Sequence, residues 1–125
     1  MKNPVGFFEI FVDDIHRAKK FYQSIFGVNL ERMDDPTDAT VDMLSFPSDF
    51  NQYGASGALV RRDGSKAGGN STVIYFSCDD CAIEEAKIDG AGGKVVQSKF
   101  SIGEYGFCAI AIDTEGNTIG LHSQK

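Results

Sequence analysis

Shifted so that Asp13-Asp14 falls on Asp79-Asp80, the sequence aligns with itself from Val5 to Leu30 and from Ser71 to Val96 without a gap. Gly27 then falls on Gly93, and the apolar positions Val12, Ile15 and Leu30 fall on Cys78, Cys81 and Val96. Few residues are identical, so the repeat is one of pattern. In each copy a strand-like apolar run ends in an acidic pair, a helix-like segment follows, and a glycine closes it ahead of β-rich sequence. A chain built this way folds as two similar units, whatever else it does.

The acidic pairs have a physical reading. An Asp at a strand end accepts hydrogen bonds from the free N–H groups of the next helical turn and complements the helix dipole. Asp14 and Asp80 are thus the expected N-caps. Behind Asp14, the spacing of Ile15, Ala18, Phe21, Tyr22, Ile25 and Phe26 lines one helix face, and Gly27 supplies a left-handed stop. The second helix, from Cys81 to about Gly90, keeps that face only through Cys81, Ile88 and Ala91, and the repeat carries it more than its own periodicity does. Strands are expected over 29–33, 40–46 and 57–62, and again over 93–99, 107–113 and 117–123. Pro36, Pro47, Asp63-Gly64 and Glu115-Gly116-Asn117 are the breakers between them. The expected architecture is α+β, with two tandem βαβββ modules in one domain over 1–125. Module 1 spans about 1–62, a Gly/Ser-rich linker about 63–71, and module 2 about 72–125.

The chain has 125 residues, enough to bury a core without disulfides or a structural metal. A net charge of −6 with no long basic run repels a phosphate backbone, so nucleic acid is not an expected partner. The apolar start is interrupted by Glu9 and Asp13, too soon for a signal peptide or a membrane span, so a cytoplasmic location is expected and a membrane partner is not. The 3 cysteines make no paired framework and fit a reducing compartment.

Several stretches in order, FFEIFVDDIHRAKKFYQSIFGVNL, GALVRR, IDGAGGKVV, IGEYGF and DTEGNTIGLHS, resemble the vicinal oxygen chelate superfamily of glyoxalase, bleomycin-resistance and dioxygenase proteins. The resemblance covers almost the whole chain. It implies a glyoxalase-like fold, in which two modules form a cupped, barrel-like mixed sheet, and it implies a homodimer. In that family a metal is held inside the cup by residues on the first and last strand of each module. Carried onto this sequence, the first-strand positions fall on Phe7 and Val73. The last-strand positions fall on Gly120 and, in module 1, on Gly57 or Ala58. None has a donor side chain, so no metal and no other cofactor is expected, and a metal-dependent lactoylglutathione lyase activity is disfavoured.

Other polar groups then become candidates. Strand alternation puts Glu9 and Phe11 on the face of Phe7, and His122 on the face of Gly120. Tyr75 takes the slot of Glu9 in the second module. Glu9 and His122 are read either as a hydrogen-bonded pair that exchanges a proton with a small ligand, and so as the candidate catalytic residues, or as a structural pair. Phe7, Phe11, Val73, Tyr75, Tyr105 and Gly120 are the candidate ligand-binding residues, with Tyr105 carried between two glycines. Phe46, Phe50 and Tyr53 border the cup or pack against it. One of Arg61 and Arg62 is placed to meet an anion, or both belong to the solvated linker. Cys78 and Cys81 have the C-x-x-C spacing of redox motifs, but the repeat sets Val12 and Ile15 in their places, which makes them apolar fillers. Cys108 lies in an apolar run. His16 lies off the apolar helix face. Gly90 to Gly93 follow a helix, the reverse of a phosphate loop. The expected function is binding of a small organic molecule in an apolar, metal-free cup. The alternative is a metal-independent lyase or isomerase using Glu9 and His122.

Overall fold

The computed structural model describes residues 3–125. The order of elements is β1 (Phe7–Phe11), α1 (Ile15–Phe26), β2 (Glu31–Met33), β3 (Asp42–Ser45) and β4 (Ser56–Arg61), then β5 (Ile74–Ser77), α2 (Cys81–Ile88), β6 (Lys94–Ser101), β7 (Phe107–Ile112) and β8 (Thr118–Ser123). They form two separate four-stranded sheets of identical topology, β1-β4-β3-β2 and β5-β8-β7-β6. In each, the first strand runs parallel to the last and the other pairs are antiparallel. The fold is α+β with mixed sheets, as the repeat requires, and the sheets do not close into a barrel.

The helix ends follow from the acidic pairs. Asp14, in extended backbone, accepts from the N–H of His16 at 3.1 Å and of Arg17 at 3.0 Å, and Gly27 closes α1 at φ 63°. Asp80 accepts from the N–H of Ala82 at 3.0 Å and holds the Lys99 ammonium at 2.9 Å. The buried residues of α1 are Ile15, Ala18, Phe21, Tyr22 and Ile25, the face read from their spacing. By contrast α2 buries only Cys81 and Ile88 and ends at Ile88.

Strand boundaries depart from expectation where local bonds compete with the ladder. Asp35 and Asp38 each bind the N–H and hydroxyl of the threonine two residues on, at 2.6 to 2.9 Å. These turns satisfy the backbone before β3 can begin, and β3 starts at Asp42 instead of Thr40. Strand β6 extends to Ser101, past the expected 99, with register shifts between Val95 and Gln97 and between Gln97 and Phe100.

One hydrophobic core serves both modules. Ile10, Val12, Phe21, Tyr22, Ile25 and Leu59 from the first pack with Cys81, Ile88, Ala109, Ala111, Ile119 and Leu121 from the second. Phe8 and Phe76, with ring centroids 6.0 Å apart at a right angle, meet across the seam. A smaller cluster of Val41, Met43, Ala58 and Val60, joined by Phe11 and Met33, covers the other face of the first sheet.

The polar counterpart is the turn from Asp113 to Asn117, which joins β7 to β8. Glu115, 6% exposed, accepts from the N–H of Asp13 at 3.0 Å and of Asp14 at 2.8 Å, and takes a two-pronged bond from the Arg17 guanidinium at 2.6 and 2.9 Å. Asp113 accepts the Tyr22 hydroxyl at 2.7 Å. The Asn117 amide donates to the carbonyl of Phe11 at 2.9 Å, while its oxygen accepts the N–H of Gly68 at 2.8 Å. Gly68 stands at φ 83° with the carbonyl of Gly116 3.2 Å from where a Cβ would be, so this stretch requires glycine and is pinned in place.

Burial by itself would raise the Glu115 pKa. The bond from Arg17, the Asp14 N–H, the Thr114 hydroxyl and the Arg17 charge outweigh it and lower the pKa to about 2. A carboxylate held below its unfolded value stabilises the fold above that value and loses this contribution as the pH falls through the folded one. The Glu115 contribution, about 3 kcal/mol for a shift of this size, is therefore complete above roughly pH 5 and fades toward pH 2. Acid titration followed by circular dichroism should show stability falling across this window. Glu115→Gln should lose about 3 kcal/mol at pH 7 and give a shallower acid profile, whereas an unchanged profile would mean that Glu115 does not join the modules.

Candidate functional site

The helices cover one face of each sheet, and alternation assigns side chains to the other. Phe8 and Ile10 of β1 and Phe76 of β5 enter the shared core. Phe7, Glu9 and Phe11 consequently point to the helix-free face, with Tyr75 beside them from the second module. On β8, Ile119 and Leu121 belong to the core, which turns Gly120 and His122 to the same open face. Val73 lies just before β5 and is 36% exposed.

Strand register settles the alternative left open in module 1. Glu9 stands opposite Ala58 as Tyr75 stands opposite Gly120, so Ala58 is the counterpart of Gly120. Gly57 instead lies under Phe8, whose ring atoms come within 2.6 Å of where a Cβ would be. At Gly120 the ring of Tyr75 fills the position of a missing Cβ. The glycine is thus a seat for an aromatic ring. Phe7, Val73, Ala58 and Gly120 offer only carbon, and these residues do not fit a metal of the kind that the resemblance implies. Among the described residues no group of 3 or more His, Cys, Asp and Glu is placed to hold one.

Two cavities lie on the open face. The larger, about 680 Å³, is walled by Phe7, Met33, Ser45, Phe50, Tyr53 and Ser56. Phe50 is 99% and Tyr53 86% exposed, and both project from the loop between β3 and β4. The smaller, about 170 Å³, lies at the seam between the modules and is lined by Glu9, Phe11, Lys66, Asn70, Ile74 and Thr118. Glu9 and Phe11 thus share one pocket, and Phe7 belongs to the other.

Glu9 and His122 do not form the pair considered from sequence. The His122 Nε2 meets the carbonyl oxygen of Tyr105 at 2.7 Å. A carbonyl only accepts, so Nε2 carries the proton and, in the neutral ring, Nδ1 is left as the acceptor. The start of β8 lies against the end of β1 through Asn117 and Phe11, and His122 is about 13 Å farther along at the usual strand rise. Tyr105 is on a short 3₁₀ turn over Gly103–Tyr105, and its ring is 67% exposed.

Of the two arginines, Arg61 is engaged by Asp42 at 2.8 Å and Asp63 at 3.0 Å. Arg62 lies over the Phe11 ring at 5.9 Å and 3.5 Å from Asp35. Arg62, one of the two arginines weighed from the sequence, lies on the open face together with Lys66, which sequence reading did not single out. Alternation from Val60 would have placed Arg62, whereas only folding brings Lys66 to Glu9. His16 is exposed on the outer side of α1.

Cys78, Cys81 and Cys108 are free thiols. Burial, followed by the charge and hydrogen bonding of Glu84, pushes the Cys78 thiol up to about 12, and burial raises Cys108. Cys81 is fully buried and its N–H donates to the Ser123 hydroxyl at 3.0 Å. These are the surroundings of inert cysteines.

Residues 5–43 match the family model for the bleomycin resistance protein-like N-terminal region. Glyoxalase I from Zea mays superposes with a TM-score of 0.75 at 20% identity, over 97% of this chain and 46% of that one. A glyoxalase/bleomycin resistance protein from Albidiferax ferrireducens superposes at 0.68 with 20% identity, over 95% of this chain and 98% of the other. A glyoxalase/bleomycin resistance protein/dioxygenase family enzyme from Burkholderia phytofirmans does so at 0.68 with 16% identity, over 96% and 98%. The chain thus has the fold of these glyoxalase and glyoxalase/bleomycin resistance proteins. No curated protein matches it by sequence. The chain spans just under half the length of the Zea mays enzyme. Within this fold, the open face described above is the one that carries Phe7, Ala58, Val73 and Gly120.

Two measurements check the site. Gly120→Ala should cost about 1–2 kcal/mol because its methyl meets the Tyr75 ring, and the cost should largely vanish in a Tyr75→Ala background. Native protein should react slowly with a thiol reagent at pH 8 and rapidly after unfolding. Fast labelling of Cys78 in the native state would restore the redox reading.

Proposed function

We propose that the protein binds a small, partly aromatic organic molecule on the open face without a metal. The observation that carries this reading is the set of exposed aromatic rings on that face. Phe7, Phe50 and Tyr53 surround a cavity of about 680 Å³, within the size range of small-molecule sites. Phe11 and the ring of Tyr75 on its glycine seat extend the surface across the seam, with Val73 beside them. Soluble domains rarely leave such rings uncovered unless something binds there. Glu9, Lys66 and Arg62 supply charged groups at the edge, and Tyr105 presents an exposed ring near His122.

A second reading is a metal-independent lyase or isomerase. Its support is the orientation of His122, whose Nδ1 remains a proton acceptor while Nε2 is anchored, and the presence of Glu9 on the same face. We further propose a homodimer in the cytoplasm. The Zea mays glyoxalase I chain is about twice as long as this one, and two copies would match its length.

A thermal-shift screen of small aromatic compounds, with chelator or with added divalent metals, tests the reading. A ligand near 100 times its Kd should raise the Tm by several degrees equally in chelator and in metal. A shift that appears only with metal would overturn it. His122→Asn and Glu9→Gln should weaken ligand binding while leaving the unliganded Tm within about 1 °C. Loss of stability without loss of binding would assign these residues to the scaffold.

A further inference from the structure

A third cleft, of about 380 Å³, opens on the opposite side of the seam, between the end of α1 and the start of α2. Phe8, Phe26, Phe46 and Phe76 form its wall. Their rings are in mutual contact, with Phe26 and Phe76 centroids 4.6 Å apart and Phe46 at 5.7 Å from both Phe8 and Phe76. The remaining lining includes Cys78, Asp79 and Glu84, and no Lys, Arg or His. The charge of the cleft is therefore purely negative. The Cys78 thiol stays neutral and does not alter this.

Glu84 gives the cleft its chemistry. Its Oε1 is shut off from solvent and meets no N–H or O–H donor among the described residues; the neighbouring Cys78 thiol is only a weak donor. A carboxylate oxygen enclosed without a donor is costly, and the cost falls when a donor or a cation is brought to it. Phenylalanine faces carry negative potential as well, so the wall and the carboxylate attract the same sign of charge. Polar anions and phosphates are repelled from such a site, and an uncharged apolar ligand would leave Oε1 unanswered.

We propose that this cleft binds a protonated organic amine of about the size of a phenylalkylamine. Its ammonium is drawn to the Glu84 carboxylate, and its apolar body lies along Phe26, Phe46 and Phe76. The cleft shares Pro47, Ala55 and Ser56 with the rim of the larger open-face cavity, but its phenylalanine wall and Glu84 belong to it alone.

The test uses three probes of matched shape, 2-phenylethylamine, 2-phenylethanol and 3-phenylpropionate, titrated into the full chain by NMR and calorimetry. The amine should bind about tenfold more tightly than the alcohol, with the carboxylate weakest. Shifts should centre on Phe76, Cys78 and Glu84 and leave Phe7 and Tyr105 unchanged. Glu84→Gln should reduce amine affinity about tenfold and leave the alcohol unaffected. Equal binding of amine and alcohol, absence of amine binding, or shifts confined to the open face would each overturn the proposal. The comparison of the three probes on the wild-type chain stands even if the Glu84 variant folds poorly.

Discussion

A buried glutamate holds the two halves of this protein in register. Glu115 belongs to the second module, yet every bond it receives from outside its own turn comes from the first: the N–H groups of Asp13 and Asp14, and the guanidinium of Arg17. Those N–H groups lie where β1 ends and α1 begins, so one carboxylate fixes the strand end, the helix start and the next turn of the helix together. Asp113 and Asn117, on the same turn, tie down Tyr22 and Phe11. With these bonds made, α1 can lie across the seam and share its apolar face with both sheets. The open face then follows, because strands committed to the core by Phe8, Ile10, Ile119 and Leu121 must turn their alternate residues outward.

The two modules share a topology but have been put to different uses. Where the second has a tight turn between β7 and β8, filled with polar groups and buried, the first has a long loop between β3 and β4. That loop presents Phe50 and Tyr53 to solvent. One module supplies the tie and the other supplies the exposed rings. The equivalent positions opposite β1 and β5 have likewise diverged to Ala58 and Gly120. The glycine admits a tyrosine ring that a larger residue would displace, and the open face gains aromatic surface where a donor set would otherwise be needed.

Much of the fold was legible because it depends on local rules. Asp14, Asp80 and Gly27 act as caps by chemistry that operates over a few residues, and the spacing of Ile15 to Ile25 finds the same core face that packing confirms. The delayed start of β3 was not legible, since it depends on Asp35 and Asp38 closing turns on their threonines before the ladder can form. The site was legible face by face but not residue by residue. Alternation placed Glu9, Tyr75 and His122 on one side of the sheets. It could not tell that His122 would turn to the carbonyl of Tyr105, or that Glu9 would share its pocket with Lys66.

The sequence by itself determined the doubled βαβββ plan and the absence of donor side chains at Phe7, Val73 and Gly120, because periodicity, capping and side-chain chemistry are properties of short stretches. Only the tertiary structure decided that Glu115 would be the joint, that Gly120 would be the seat of Tyr75, and that Glu84 would end with an oxygen unanswered among phenylalanines. Each of these depends on groups distant in the chain arriving at hydrogen-bond or van der Waals distance. No local pattern encodes that proximity; it arises when two modules bury a common core.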